Sequence, residues 1–158
     1  MILYRLAHPK FAADLSGTGA KLHGGRWNPP GIAVTYTSEH ISLALLETLA
    51  NAGTLEQLRA IKLVQIEIPD EASVHEIRLS ALKKNWQADT DATQWIGQQV
   101  LTSTRHLLIK CPSAIVPREH NFLVNPLHPD FKRIKLATLN DFYFDPRLFK
   151  PAEINISA

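Results

Sequence analysis

The chain has 158 residues, of which 45% are hydrophobic and 20% are charged, and its formal net charge is +2. This length and balance are typical of a globular protein that buries its own core, and we expect residues 1–158 to form a single domain. So small a net charge gives no support for direct binding to nucleic acid. The lone cysteine, Cys111, excludes an internal disulfide, and no apolar run is long enough for a signal peptide or a membrane span. We therefore expect a cytoplasmic protein that does not contact a membrane.

The first forty residues predict two short strands separated by a glycine-rich segment. The first strand begins within residues 4–6, and residues 15–28 are typical of a polar loop or hairpin because glycines recur through them. Ile32, Val34 and Tyr36 alternate with small or polar residues. That alternation predicts a second strand with all three side chains on one face.

A helix is predicted between Ser38, a residue type favoured at helix N-termini, and Gly53, a type favoured just beyond C-termini. Because apolar residues occur on most of its sides, we expect this helix to be deeply packed. Glu47 falls away from the face formed by residues 41, 45 and 49, and Asn51 lies beside it. The helix therefore carries one narrow polar stripe.

The second half of the sequence predicts mostly strands. Val64, Ile66 and Ile68 fall on one side of an alternating run, which predicts a strand. The later segments predict, in order, an irregular stretch at 72–88, a helix with Trp95 at 93–104, a strand in 105–117, turns in 121–131 and one or two strands in 133–149. This order predicts an α+β fold.

Several familiar sites lack their sequence signatures. Gly17 and Gly19 are followed by Leu22 where a Rossmann fingerprint needs a third glycine, and their loop precedes a strand instead of following one. Neither a P-loop nor the G-x-S-x-G elbow of serine hydrolases occurs. The seven histidines are scattered without metal-ligand spacing, so we predict no metal site. Cys111 lies in an apolar run, where a lone cysteine is typical of buried packing.

Residues 23–38, HGGRWNPPGIAVTYTS, combine polar and aromatic side chains with residues that restrict the backbone. Two glycines allow the backbone to approach a ligand closely, and Arg26 carries the fork-shaped donor that suits phosphate. Asn28 suits either closing a turn or holding a ligand. The alternative interpretation treats Arg26 as a solvated cation, Trp27 as a packing aromatic and Glu47 as an exposed helix residue.

Several ordered blocks of the sequence resemble the RES-domain family, the toxin halves of bacterial toxin–antitoxin pairs. The blocks are YR at residues 4–5, residues 15–38, LALLETLA, CPSAIVPREHNFLVNPLHPDF and FYFDPRL. The resemblance runs from about residue 3 to residue 149, with a looser fit over residues 70–92. It implies a single domain with an ADP-ribosyltransferase-like α+β fold, a strand-rich core and flanking helices.

The resemblance also assigns site residues. Arg26 of GGRWN matches the family's arginine, Glu47 of LLE its glutamate, and Ser113 of PSAIVP its serine, while Arg5 and Tyr36 match further site positions. Glu47, Arg26 and Tyr36 are thereby expected to be catalytic. The residues expected to bind the substrate are Arg5, Arg26, Tyr36 and Ser113, the last by donating to a phosphate or a hydroxyl.

The activity that the resemblance implies is the consumption of NAD⁺, as a substrate and not as a cofactor. The nicotinamide–ribose bond would be cleaved by hydrolysis or phosphorolysis, which stops growth, and the expected partner is an antitoxin with an Xre-like helix-turn-helix. One alternative is an ADP-ribosyltransferase that modifies a specific protein, since it would share all of these residues. The other is an inactive module that only binds a partner, although a decayed copy should have lost at least one site residue.

Overall fold

A computed structural model describes residues 1–149 of the chain. Its strands are β1 Ile2–Ala7, β2 Thr35–Ser38, β3 Ile61–Glu67, β4 Val74–Glu76, β5 Leu108–Pro112, β6 His120–Val124 and β7 Lys135–Phe142. Its α-helices are α1 Pro9–Ala12, α2 Thr18–His23, α3 Ile41–Asn51 and α4 Thr90–Thr102. The strands form one seven-stranded sheet in the order β4-β5-β6-β2-β1-β3-β7, in which only β4 and β5 pair in parallel. The expected α+β class with a strand-rich core is confirmed.

The middle of the sheet depends on β6, which pairs with β5 on one side and with β2 on the other. On the far side of β2, the pairing with β1 is limited to Tyr4 opposite Ser38. β1 instead pairs along its whole length with β3. The sheet therefore has continuous strand pairing on both sides of the β1–β2 junction, where only one residue pair is in register.

The core has two apolar clusters, and the alternation of residues along β6 assigns them to opposite faces of the sheet. Phe122 and Val124 join the cluster built on β1 and β3, which includes Val64 and Ile66. Leu123 joins the other cluster, in which Leu101 of α4 packs with Trp27, Val34 and Trp86. The predicted strand with Val64, Ile66 and Ile68 on one side is confirmed, because all three side chains are buried.

The glycine-rich segment contains a short helix, α2, where the sequence predicted a loop or hairpin. Gly17 and Gly24 flank this helix with φ values of +73° and +71°, a conformation that favours glycine. The glycines thus begin and end a helical turn. The prediction of a loop was wrong because Gly17 and Gly24 lie at the two ends of a helix, where glycine is also common.

The predicted helix begins later than expected, since Ser38 is the last residue of β2 and His40 precedes α3. Only Leu43 and Ala44 of α3 are buried, so the expectation of a deeply packed helix was wrong. Glu47 follows Leu43 by four residues and Ala44 by three, so it lies on the same face of α3 as these two buried residues. The fold therefore directs the polar stripe, and not the face of residues 41, 45 and 49, towards the sheet.

The segment at 72–88, expected to be irregular, contains the edge strand β4 and two short 3₁₀ turns at Leu79–Ala81 and Trp86–Ala88. The predicted helix carrying Trp95 is confirmed as α4, and Trp95 itself is exposed. Within residues 1–149, no helix has the length and apolar character needed to cross a membrane.

Candidate active site

A cleft opens above the β1–β2 junction and consists of two adjoining cavities of about 570 and 580 Å³. Arg5 lines the first cavity and Arg26 the second, whereas Glu47 lines both. Tyr36, Asn51 and Asn121 also line both. Each volume lies in the range of small-molecule sites. The structure therefore brings four predicted residues, Arg5, Arg26, Tyr36 and Glu47, to one cleft.

Arg5 reaches the cleft from β1. Its guanidinium donates to the Asp14 carbonyl at 2.8 Å, which fixes the side chain without neutralising it. Burial lowers the pKa of Arg5 from its ordinary value, and the nearby Asp14 carboxylate partly opposes that change. Because an arginine side chain stays protonated in proteins, Arg5 presents a partly desolvated positive charge.

Arg26 is held partly by residues 86 and 87, which lie in the segment where the resemblance to the family is looser. Its guanidinium donates to the Gln87 carbonyl at 2.8 Å and lies over the Trp86 ring, 5.8 Å from the ring centre. The main chain is held too: the Thr93 hydroxyl donates to the Arg26 carbonyl at 2.7 Å, and the Gln94 amide donates to the Gly25 carbonyl at 2.8 Å. Residues 86–94 therefore position Arg26 in the cleft wall.

Tyr36 is fixed through its hydroxyl, which accepts from the Trp27 backbone N–H at 2.9 Å and donates to the Asn28 side-chain oxygen at 2.7 Å. Burial raises the pKa of the Tyr36 phenol above its ordinary value. Asn28 is buried and also donates to the Ala20 and Ile32 carbonyls. Of the two roles considered for Asn28, closing a turn is the one that the structure shows.

Gly25 allows this close approach of the turn and the Tyr36 ring. A Cβ atom at Gly25 would lie 2.6 Å from the Tyr36 hydroxyl oxygen, closer than real side chains come. The glycine pair of the sequence therefore brings the backbone close to another side chain of the cleft wall, and the adjoining Trp27 is a buried packing residue.

Glu47 projects from α3 and accepts two hydrogen bonds on the same oxygen, Oε1. The Ser113 hydroxyl donates to it at 2.8 Å and the Asn121 side-chain amide at 2.5 Å. Ser113 is fully buried, and its oxygen accepts from the backbone N–H groups of Ile115 and Val116 at 3.1 and 3.0 Å. In this structure the Ser113 hydroxyl contacts Glu47, and its donor and both acceptor positions are used within the protein; its contact with a phosphate or hydroxyl stays a prediction.

Asn121 is a site residue that the sequence reasoning missed. It lies on β6 directly opposite Ser38 on β2, and the Ser38 hydroxyl donates to its side-chain oxygen at 2.7 Å. The only local signal was a polar residue at the start of the apolar run NFLV. That signal becomes informative only when the strand order is known.

The cleft is lined by one acidic residue, Glu47, together with Arg5 in the first cavity and Arg26 in the second. Both guanidiniums donate to main-chain carbonyls, which carry no full charge, and the nearby Asp14 carboxylate offsets the charge of Arg5 only in part. Such an arrangement suits a ligand that carries phosphate groups together with a centre that becomes positive. Across residues 1–149, no group of three or more His, Cys, Asp or Glu side chains could hold a metal ion.

Comparison with known proteins agrees with this architecture. The family described as the RES domain matches residues 2–145. A protein of Sphingobium sp. (strain YBL2) named "Prs ADP-ribosylating toxin" is 43% identical over 147 residues, covering 89% of this chain and 90% of that protein. A "Toxin Res" of Photorhabdus laumondii is 39% identical over 154 residues, covering 95% and 98%.

Among solved structures, the crystal structure of the Mycobacterium tuberculosis MbcT–MbcA toxin–antitoxin complex contains a chain of the same fold. The TM-score is 0.73 at 22% identity, over 93% of this chain and 85% of that chain. The family match runs through all seven strands, and the relatives align over nearly their whole lengths. From this agreement of sequence and fold, the chain belongs to the RES-domain family.

Proposed function

We propose that this protein is the toxin of a bacterial toxin–antitoxin pair and that it destroys NAD⁺ by cleaving the bond between nicotinamide and ribose. The observation that carries the proposal is the position of Glu47, which lines one cavity together with Arg5 and the adjoining one together with Arg26. The name "Toxin Res", borne by relatives that are 39% and 37% identical, supports the toxin role.

A single carboxylate is sufficient for this reaction. The nicotinamide of NAD⁺ is already a cation, so it takes the bonding electrons and leaves as a neutral molecule without being protonated. Ordinary glycoside hydrolysis needs a second carboxyl group to protonate the leaving oxygen. Here the Glu47 carboxylate stabilises the positive charge that develops on the ribose carbon, and each tenfold gain in rate requires about 1.4 kcal/mol of such stabilisation.

The other side chains of the cleft fit the rest of the dinucleotide. Arg5 and Arg26 supply positive charge from two separate segments, which suits the two negative charges of the diphosphate. The anchored ring of Tyr36 offers a flat face to the nicotinamide cation, an interaction of about 1 kcal/mol. After the bond breaks, water or phosphate adds to the ribose carbon, and the product is ADP-ribose or its phosphate.

The biological setting follows from the same proposal. Loss of NAD⁺ in the cytoplasm arrests growth, and a cognate antitoxin with an Xre-like helix-turn-helix restrains the enzyme. The support for a protein partner is that the structural neighbour is a toxin–antitoxin complex. Direct binding of this chain to nucleic acid or to a membrane is not part of the proposal.

A second candidate function is the transfer of ADP-ribose to a specific protein. It is favoured by the name of the Sphingobium relative, an ADP-ribosylating toxin. Both reactions use the same cleft and differ only in the acceptor. The binding module without activity has no comparable observation in its favour.

The test incubates the purified protein with NAD⁺ labelled in its adenylate part, with and without inorganic phosphate and with a cell extract as the source of acceptors. Soluble labelled ADP-ribose or its phosphate supports NAD⁺ destruction, whereas label retained on one extract protein supports transfer. The Glu47→Gln variant should abolish either product. Glu56→Gln, at an exposed position paired with Arg59, is the matched control and should retain the wild-type rate. Folded wild-type protein that leaves NAD⁺ intact under all of these conditions would overturn both candidate functions.

A further inference from the structure

The Glu47 carboxylate is held from one side only. Both of its hydrogen bonds within residues 1–149 fall on Oε1, one from Ser113 and one from Asn121. The second oxygen, Oε2, is therefore the one left for a ligand in the cleft. A carboxylate fixed in this way needs no reorientation as charge develops near it.

The Asn121 amide is held at both ends, by Glu47 and by its neighbour across the sheet, Ser38. Because the Glu47 carboxylate can only accept, the Asn121 amide nitrogen faces it, and the amide oxygen accepts from the Ser38 hydroxyl. Ser38 is itself buried, and the two residues are direct partners in the β2–β6 register. The hydrogen bonds therefore run from Ser38 through Asn121 to the carboxylate.

We propose that Asn121, oriented by Ser38, is a positioning residue that fixes the Glu47 carboxylate for catalysis. This inference rests on the proposed function, because it gives the carboxylate of that reaction its required orientation. Asn121 acts through Glu47. Its loss should therefore lower kcat much more than it changes the KM for NAD⁺.

Three variants test the inference in NAD⁺ turnover assays. For Asn121→Ala we expect kcat to fall about 10- to 100-fold with KM changed less than about threefold, as for the loss of one hydrogen bond to a charged group. Asn121→Asp is nearly isosteric but replaces the donor by a second carboxylate beside Glu47, so its kcat should fall further. Ser38→Ala should have a smaller effect, since the amide remains but is no longer oriented.

A merely structural role for Asn121 would not produce coupling between these positions. We expect the double variant Ser38→Ala/Asn121→Ala to be no slower than Asn121→Ala alone, because both changes remove the same hydrogen-bonded chain. Asn140→Ala, on the exposed strand β7, is the matched control and should retain the wild-type kcat. Circular dichroism verifies that each variant is folded.

Crystal structures of the wild type and Asn121→Ala decide the question independently of turnover. The expected result is one Glu47 side-chain orientation in the wild type and a displaced or divided one in the variant. A folded Asn121→Ala protein with wild-type kcat and an unmoved Glu47 would overturn the inference. Should that variant not fold, an unchanged kcat and an unmoved carboxylate in Ser38→Ala would do so. Inactive wild-type protein would defeat the proposed function, and the position of Glu47 in the variant crystals would still decide the role of Asn121.

Discussion

The Arg26 guanidinium carbon lies 5.8 Å from the centre of the Trp86 ring. Trp86 is buried and packs against Trp27, so this aromatic surface is itself fixed. An interaction of this kind contributes about 0.5–2 kcal/mol, depending on how dry it is. This contact explains why position 86 holds a large aromatic residue. It also connects residues 86–94 to Arg26 in the wall of the cleft.

Arg26 should be required for dinucleotide binding through its shape as well as its charge. We expect Arg26→Lys to bind NAD⁺ more weakly by about tenfold, because an ammonium cannot reproduce the two-pronged donor geometry, and Arg26→Ala to bind more weakly still. Isothermal titration calorimetry in the Glu47→Gln background measures this without turnover. Arg59→Lys, at an exposed position outside the cleft, should leave the affinity unchanged. Equal affinity for folded Arg26→Ala would remove Arg26 from the site.

The Tyr36 hydroxyl should matter for stability. Replacing Tyr36 by Phe leaves the Trp27 N–H and the Asn28 oxygen without their partner in a part-buried setting, and each loss costs about 1–3 kcal/mol. We therefore expect a fall of at least about 2 kcal/mol in the free energy of unfolding, measured by urea denaturation. Tyr143→Phe, at a position that is 81% exposed, should change it by less than about 0.5 kcal/mol. Equal midpoints for the two variants would contradict the assigned role.

The packing of α4 against the cleft wall depends on Gly97. A Cβ atom there would lie 1.8 Å from the Trp27 carbonyl oxygen, so Gly97→Ala must push the helix away from the backbone. We expect this variant to lose about 3 kcal/mol or more of unfolding free energy. Gly19→Ala is the control: nothing lies within 4 Å of its added carbon, and an alanine in α2 should stabilise the protein by about 0.5–1 kcal/mol. Urea denaturation that ranked the two variants in the opposite order would refute this packing argument.

The stability of the protein should fall at alkaline pH. Burial raises the pKa of the Cys111 thiol and of the Tyr36 phenol in the folded state, so folding favours their protonated forms. Their stabilising contribution is complete below the unfolded pKa values of about 8.5 and about 10, and it is lost as the pH rises above them. The expected slope is about 1.4 kcal/mol per pH unit for each group.

Chemical denaturation between pH 7 and pH 11 tests this expectation. In Cys111→Ala the decline should begin near pH 10 instead of pH 8.5, because only the phenol remains of the two groups. A decline that still begins near pH 8.5 in this variant would show that a different group is responsible.

Local pattern predicted the elements whose burial follows a simple period. The alternation of Val64, Ile66 and Ile68 in and just after β3 is an example. The start of α3 was mistaken because Ser38, a residue type favoured at helix N-termini, instead ends strand β2, and α2 was missed because its flanking glycines also suit a loop. The four residues of the cleft were identified by resemblance to a family, and their proximity follows from the sheet. Asn121 could not be found locally, since it contacts a side chain 74 positions away in the sequence.

The position of β6 in the sheet also has a consequence for synthesis on the ribosome. Both arginines and Glu47 are translated early, but the strand that joins β2 to β5 and carries Asn121 is the sixth of seven to emerge. A nascent chain that ends before β6 contains Arg5, Arg26 and Glu47 but lacks the strand that pairs with β2 and that carries Asn121, the hydrogen-bond partner of Glu47. Under the proposed function, products truncated before β6 should therefore be inactive and harmless to the cell that makes them.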